Sequence, residues 1–492
     1  MKRLTSSFEK IAKKSPSSEN KKGEEKIELK PHQKRVLQKL LDTPGLLVYH
    51  GLGSGKTITS ISAAEKLGIP AEAVVPASLR PNYLKELAKV KPTVPFNIKS
   101  YEGFTKSPSS KDKVLIFDEA HRLQDPASMR TRAALEHAAP SARRVLLTGT
   151  PIQNYPKELA PLLNIAAGKK VLPTESEFEK QFIEEKEVSP GFLEKYLFGV
   201  QPGIEPSIKN KSELARAVRQ YVDYHPSIKD GFPASSEKTV KVQMSPTQKL
   251  VYDYVARGIP SGLLRKVERN LPPSKKESAN LAAFLSAPRA VSNTPHSYQT
   301  YMTEEDAVKH SPKFQKILSD FSGGLESNPR FKGVIYSNFI RDGIKPLHAA
   351  LTRAGVPAAM FTGELSDRQK KKIVDDYNSD KIKALLVSGA GSEGLDLKGT
   401  RMVQVVEPHW NKSRIKQVIG RAIRYKSHDH LPPEERHVDV RHYHSTTPPT
   451  MFQRLMGDKP HTSTDEYMHG LAAKKQKLID QFLEVLQQEG SK

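Results

Sequence analysis

The sequence predicts an α/β protein with two domains, each a parallel sheet flanked by helices, and a helical insertion between them. Three observations predict it. Short apolar runs bounded by turn residues alternate with helix-like segments from residue 45 to 150. A second series of the same kind runs from 332 to 408. The stretch between them reads as helix. Continuous apolar runs suit strands buried on both faces, as in a parallel sheet covered by helices. A chain of 492 residues is also too long for one ordinary core, so two or three domains are expected.

Residues 1–28, "MKRLTSSFEKIAKKSPSSENKKGEEKIE", are rich in Lys, Ser and Glu and read as a disordered basic tail. The first lobe is expected over 29–165, with strands in "GLLVYHG" (45–51), "AEAVVPAS" (71–78), "KVLIFDE" (113–119) and "RRVLLTGT" (143–150). Residues 166–300 form the expected helical insertion and linker, with "TQKLVYDYVARGI" (247–259) and "ANLAAFLSA" (279–287) at helical spacing. The second lobe is expected over 301–445, with strands in "KGVIYSN" (332–338), "AAMFTGE" (358–364), "KALLVSGA" (383–390) and "RMVQVVEP" (401–408). A helical extension, 446–492, closes the chain, and its helix "DEYMHGLAAKKQKLIDQFLEVL" is expected to dock onto lobe two.

Composition limits the function classes. There are no cysteines, which excludes disulfides and thiolate metal sites and fits a reducing compartment. No apolar run approaches the roughly 18–20 residues that cross a bilayer, and the charged N-terminus has no apolar signal core, so a soluble intracellular protein without a membrane partner is expected. Lys and Arg number 78 against 55 Asp and Glu, a net +23. Such a balance suggests a polyanionic partner. The histidine-rich "HYH" and "HDH" lack supporting cysteines and do not signal zinc.

The chemistry is carried by "LLVYHGLGSGKT" (46–57): a strand, a glycine-rich turn, then a helix. Glycines let backbone N–H groups close around phosphate oxygens, and the helix N-terminus adds positive potential. Gly53, Ser54 and Gly55 form the cradle. Lys56 is placed to reach β- and γ-phosphates, and Thr57 to bind Mg²⁺. The strict pattern G-x-x-x-x-G-K-[ST] requires glycine at position 50, where His50 stands. The next landmark is "VLIFDEAH" (114–121), an apolar strand ending in paired carboxylates. Asp118 is expected to hold Mg²⁺ and Glu119 to polarise the attacking water. Nucleoside triphosphate hydrolysis follows from the combination.

"GSGKT", "DEAH", "LLTGTPIQN" (146–154) and "QVIGRAIR" (417–424) together resemble the superfamily 2 helicase-type ATPases. "LKPHQKRVLQKL" (29–40), "VVPASLRPNYLKEL" (74–87), "SYEGF" (100–104), "MFTGELSDRQKKKIVDDYN" (360–378) and "LLVSGAGSEGLDLKG" (385–399) narrow the likeness to the Snf2-like group. The resemblance implies two RecA-like lobes, with ATP and Mg²⁺ in the cleft between them and nucleic acid across both. It implies that Gln33 reads adenine and that Thr148 and Thr150 couple hydrolysis to DNA. From lobe two, Gly394, Asp396, Gln417, Arg421 and Arg424 complete the nucleotide site. Ser78, Ser337, Thr362 and Ser388 are the implied backbone contacts to duplex DNA. "GRAIRYKSHDHLPPEERHVDVRHYHS" (420–445) is similar to nucleoside triphosphatases and early transcription factor subunits of poxviruses and other large DNA viruses. A phage or mobile element is an alternative source.

On a helix, Gln417, Arg421 and Arg424 would share one face, spaced i, i+4 and i+7. Trp410 is expected to pack beneath this last motif. Three functions are compatible: a DNA translocase that remodels protein–DNA or transcription complexes, a strand-separating helicase, and a transcription accessory ATPase that binds RNA polymerase.

Overall fold

The computed structural model of the chain describes residues 28–196, 200–227, 230–299, 301–389, 395–410 and 412–492. The expected tail therefore lies, all but residue 28, outside the described residues.

Fourteen strands form among the described residues. They are β1 (Gly45–His50), β2 (Ala71–Val74), β3 (Phe96–Lys99), β4 (Val114–Asp118), β5 (Arg143–Thr148), β6 (Ile183–Val188), β7 (Gly203–Ile208), β8 (Val222–His225), β9 (Ala234–Gln243), β10 (Gly333–Ser337), β11 (Ala358–Phe361), β12 (Ala384–Ser388), β13 (Met402–Val405) and β14 (His437–Thr446). Two six-stranded sheets result, in the orders β3-β2-β4-β5-β1-β8 and β11-β12-β10-β13-β14-β9. Every pairing in both sheets is parallel.

All eight expected strands are present, and they are the inner ones or their immediate neighbours. The reason is burial: β1, β4, β10 and β12 are buried at every position. Each parallel strand needs a crossover, and these are mostly helices. The helix Lys56–Leu67 returns from β1 and stops at Gly68, whose φ of 66° lets its N–H reach back to the carbonyls of Ala64 and Glu65. Buried Arg144 serves the same purpose elsewhere. Its guanidinium donates to the carbonyls of Ala138, Ser141, Ala166 and Ala167, closing two helix C-termini that would otherwise be orphaned.

Two findings differ from the expectations. The segment 166–300 is helical in large part, yet it also supplies an edge strand to each sheet, β8 to the first and β9 to the second. In the sequence the two strands are separated by residues 226–233, of which 226–227 and 230–233 are described. The C-terminal helix Thr464–Gly490 does not dock on lobe two alone. Its first turns pack Tyr467 and Met468 against Met244, Tyr252 and Val291, and half-buried Trp410 joins that cluster. Its last turns carry Leu478, Ile479, Phe482, Val485 and Leu486 into the core of the first lobe, beside Phe178 and Val218. At about 1.5 Å per residue a helix of 27 residues spans some 40 Å, enough to reach both lobes.

Candidate functional site

The phosphate loop leaves β1 at its carboxyl end and turns into the helix Lys56–Leu67. Gly53 and Gly55 both have φ of 77°, which a side chain would resist. The Ser54 hydroxyl donates to the Gly51 carbonyl at 2.8 Å and closes the turn. Lys56 folds back onto the same turn, its Nζ 3.0 Å from the carbonyls of both His50 and Gly51. Burial lowers its pKa, and the nearby Glu119 and Asp118 work against that shift. Thr57, on the first helical turn, is half-buried. A loop of glycine backbone at a helix N-terminus, with a lysine pointing into it, fits a polyphosphate.

The carboxylates sit at the end of β4. Asp118 is 8% exposed and accepts the Glu119 N–H at 3.0 Å. Burial first, and Glu119 second, push its carboxyl up to about 6, against the pull of Lys56. Glu119 adopts φ of 54°, a left-handed conformation rare outside glycine. Burial would raise its carboxyl too, but His121 Nδ1 at 3.2 Å, Lys56 and Arg421 together bring it below the ordinary value. Tyr101, fully buried, fixes this strained corner: its hydroxyl donates to the carbonyls of Asp118 at 2.7 Å and Glu119 at 3.3 Å. Two adjacent carboxylates thus have their affinities for protons pushed apart, Asp118 upward and Glu119 downward.

Gln33 is buried beside the loop. Its Nε2 lies 3.3 Å from the carbonyls of Ser54 and Gly55, and its Oε1 accepts the Lys30 N–H. Thr148 ends β5, fully buried, and its hydroxyl accepts the Thr150 N–H at 3.0 Å. Gly149 between them lies against the loop: a Cβ there would stand 3.9 Å from Lys56 Nζ. Thr150 itself is exposed.

The second lobe supplies its groups less uniformly. The helix Lys412–Ala422 carries exposed Gln417 and half-buried Arg421 on one face. Arg424 is not on that helix, which ends at Ala422; the chain has turned by then, and Arg424 N–H donates to Ser427 Oγ. The expected three-residue helical face is therefore two residues plus one on the following turn. Arg424 pairs with Asp396, Nη1 to Oδ1 at 2.9 Å. Gly394 lies outside the described residues. Among the expected backbone contacts, Ser78 is exposed, while Thr362 and Ser388 are buried at the carboxyl ends of β11 and β12. Ser337 is fully buried and donates to Glu407 Oε2 at 2.8 Å, so its hydroxyl supports the loop from within.

Sequence reasoning passed over two residues that organise the site. Glu407, fully buried in "VVEPHW", also accepts from Asn338 N–H, Asn338 Nδ2 and Asn293 Nδ2. Asp223, on the short strand β8, is fully buried behind the phosphate loop, where His50 Nε2 lies 2.7 Å from its Oδ1. The departure from glycine at position 50 was the available signal for the second.

Residues 83–297 match the SNF2-related domain and residues 313–426 the helicase conserved C-terminal domain. A protein of Acanthamoeba polyphaga mimivirus, "Putative ATP-dependent RNA helicase L538", is 30% identical over 94% of this chain and 97% of its own length. The "Termination factor NPH-I homolog" of African swine fever virus is 28% identical over 90% of this chain and 76% of its own. Among solved structures, the Pyrococcus furiosus Hef helicase domain is similar over 87% of this chain and 97% of its own, at 15% identity and a TM-score of 0.48. With a phosphate loop and paired carboxylates in place, the two matched domains and the near full-length mimivirus relative show that this chain belongs to the Snf2-like helicase-type ATPases of superfamily 2, ATP-hydrolysing enzymes with relatives among large DNA viruses.

Proposed function

We propose that the chain is a DNA-dependent ATPase that moves along duplex DNA and remodels or displaces what it meets. The observation that carries the reading is a nucleotide site divided between two lobes: Arg421 of the second lies near enough to Glu119 of the first to draw its carboxyl down. A site completed only by lobe closure couples hydrolysis to relative motion of the lobes, and motion of the lobes to whatever lies across them.

In this reading Gln33 faces the base, and the loop N–H groups with Lys56 hold the β- and γ-phosphates. Thr57 and Asp118 would supply oxygen ligands to Mg²⁺, which would neutralise phosphate charge when bound. Glu119 accepts the proton of the attacking water. Arg421 and Arg424, with Gln417, face the γ-phosphate, where a planar guanidinium stabilises charge on the transferring group. Asp396 holds Arg424 ready on its turn. Thr148 and Thr150 link the loop to the DNA side, and Ser78, Thr362 and Ser388 lie at or beyond the carboxyl ends of β2, β11 and β12. The net +23 supports binding through phosphates, largely independent of sequence and sensitive to salt.

A transcription accessory ATPase that acts on RNA polymerase is the second reading, favoured by the name of the African swine fever virus relative. Strand separation has less support. The antiparallel pair β6–β7 is the one hairpin-like projection among the described residues, with Phe192 and Tyr196 exposed between its strands. Its strands carry exposed Glu184 and Glu187, which disfavour a phosphate backbone, while Glu185 and Glu205 pair with Lys275 and Lys474.

The test is ATPase activity measured in parallel with no nucleic acid, single-stranded DNA, duplex DNA and RNA, with triplex displacement in the same buffer. Duplex stimulation and displacement of the third strand are expected. Efficient unwinding of a forked duplex moves the assignment to a helicase. Stimulation by RNA alone overturns the DNA reading, and capture of the cognate polymerase supports the second one.

A further inference from the structure

The sequence pattern leaves one oddity beside the nucleotide site: position 50, where a phosphate loop ordinarily has glycine, is histidine. The structure gives that histidine a partner far away in sequence. His50 and Asp223 are each fully buried, and Nε2 stands 2.7 Å from Oδ1. Asp223 also takes Arg35 Nε at 2.7 Å and Lys39 Nζ at 3.1 Å. Arg35 Nη2 reaches on to the Tyr224 carbonyl. Burial alone would raise the Asp223 carboxyl, but His50, Arg35 and Lys39 outweigh it and hold it at about 2. Burial keeps the His50 imidazole below its ordinary value, against the pull of Asp223.

The strand that bears Asp223 also touches the loop directly. The His225 carbonyl accepts the Gly51 N–H at 2.9 Å, and Ser227 Oγ accepts the Leu52 N–H at 3.2 Å. The approach is so close that a Cβ on Gly51 would fall 2.3 Å from the Ser227 backbone. On the other side His32 stacks on His225, ring centres 3.8 Å apart, and its Nε2 lies 2.8 Å from the Ser54 carbonyl. Thus the loop from Gly51 to Ser54 is gripped between β8 and the start of the helix Pro31–Asp42, and Asp223 ties both walls together.

We propose that Asp223 is a positioning residue for nucleotide binding: through His50, and with His225 and Ser227 beside it, it holds the first half of the phosphate loop open in the shape that receives phosphates. This rests on the ATPase reading of the same loop. The bland alternative is a buried ion cluster that only stabilises the first lobe, and the two differ in what breaks. A stability role lowers the unfolding temperature and leaves affinity alone. A positioning role weakens nucleotide binding in protein that is still folded, because the loop N–H groups lose their aim.

The test uses the full chain and a fluorescent ADP with Mg²⁺ as the probe, in wild type, Asp223→Asn and Ser227→Ala. Asp380→Asn breaks the Lys332–Asp380 pair of the second lobe, 2.6 Å, and serves as an ion-pair control away from the loop. Asp223→Asn is expected to weaken ADP binding about tenfold or more, since it withdraws a charged acceptor from three donors. Ser227→Ala removes one neutral hydrogen bond and is expected to cost about threefold. Turnover at saturating ATP, and duplex DNA binding without nucleotide, stay within threefold of wild type, and Asp380→Asn lowers the unfolding temperature without changing ADP affinity. Wild-type ADP affinity in folded Asp223→Asn and Ser227→Ala overturns the proposal. If Asp223→Asn does not fold, exposed Ser227 decides alone, because its truncation leaves the core untouched. Failure of wild type itself to bind ADP overturns the ATPase reading instead, so the two failures are distinguishable.

Discussion

The two lobes hold their shares of the nucleotide site in different ways. In the first, Asp118 is buried at a strand end, Lys56 is bonded to its own loop, and the strained Glu119 corner is pinned by Tyr101. In the second, Gln417 and Asp396 are exposed, Arg421 is half-buried, and Arg424 sits past a helix end. The second lobe's order lies one layer deeper: Lys313 Nζ bridges Asn293 at 2.9 Å and Asp465 at 2.7 Å, and Asn293 donates to Glu407. The contrast teaches a division of labour. On the proposed mechanism the first lobe would present a preorganised phosphate site, lowering the cost of reaching the transition state. The second would present its groups at the surface, engaging and withdrawing them as lobes close and open.

The sharpest way to break that contrast is to remove what the first lobe has preset. Lys56→Ala is expected to bring ATP turnover to background. Glu119→Gln should reduce it by about 10²–10⁴ while nucleotide still binds, since only proton acceptance is lost. Wild-type hydrolysis by Glu119→Gln would sink the assigned base and, with it, the idea that the strained corner serves chemistry.

The next largest effect separates the two arginines. Arg421→Lys keeps charge but not the planar fork, and should cost about 10³ in turnover with ATP and duplex DNA affinities retained. Arg424→Lys should cost less, about tenfold, because Asp396 rather than the helix face sets its position. Equal losses in both would mean that the turn after Ala422 closes onto the nucleotide as rigidly as the helix. Near-normal turnover in both would end the two-lobe mechanism.

Much of this was legible from residues alone. The inner strands announce themselves because burial on both faces demands an unbroken apolar run, as in "LLVYH" and "VLIF". The phosphate loop and its carboxylates were legible because glycine conformation and charge are local properties. Of the edge strands, β11 was legible, but β3, β8 and β9 were not. β9, "ASSEKTVKVQ", is exposed at most positions, so its sequence is polar and reads as loop. β8 is only four residues long, yet it carries Asp223. Partnerships such as His50–Asp223 depend on chain separations that no window of sequence reveals. Arg424 was misread for the opposite reason: its spacing suited a helix, but the chain turns at Ala422.

The C-terminal helix was half legible. Its apolar period was clear, but not which lobe would receive it, and this gives a prediction about the first lobe's dependence on the end of the chain. Phe482 is fully buried, its ring centre 5.9 Å from that of Phe178. Phe482→Ala should destabilise the first lobe by about 3–5 kcal/mol, read by chemical denaturation or by loss of hydrogen-exchange protection in β1 and β5. Protection lost in β10 and β12 instead would place the helix's main energetic contact on lobe two.

The smallest expected effect compares one buried histidine from each lobe. In the first, His50 is buried but faces the Asp223 carboxylate, which partly restores its affinity for a proton. In the second, His444 on β14 is 2% exposed, packs its ring 4.6 Å from His469, and is surrounded by Lys313, His442 and Lys241. Burial first, then those like charges, push its pKa down to about 2. The sign follows from linkage. Below the ordinary value of about 6.5 the unfolded chain binds a proton at this position that the folded chain refuses, so stability falls as pH falls through that value. The loss approaches about 1.4 kcal/mol per pH unit, or roughly 1–2 kcal/mol between pH 7 and 5.5. His469, whose pKa burial also lowers, acts in the same direction. His444→Gln should remove the His444 part of that slope while leaving turnover at pH 7.5 unchanged. Hydrogen exchange at pH 7.5 and 5.5 measures it by lobe: wild type should lose protection in β14 and β13 as pH falls, with β1 and β4 less affected, and the variant should show a smaller difference between the lobes. If β1 and β4 lose protection first, His50 and its neighbours are the acid-sensitive cluster, and the lobe that looks preset at neutral pH is the one that yields in acid.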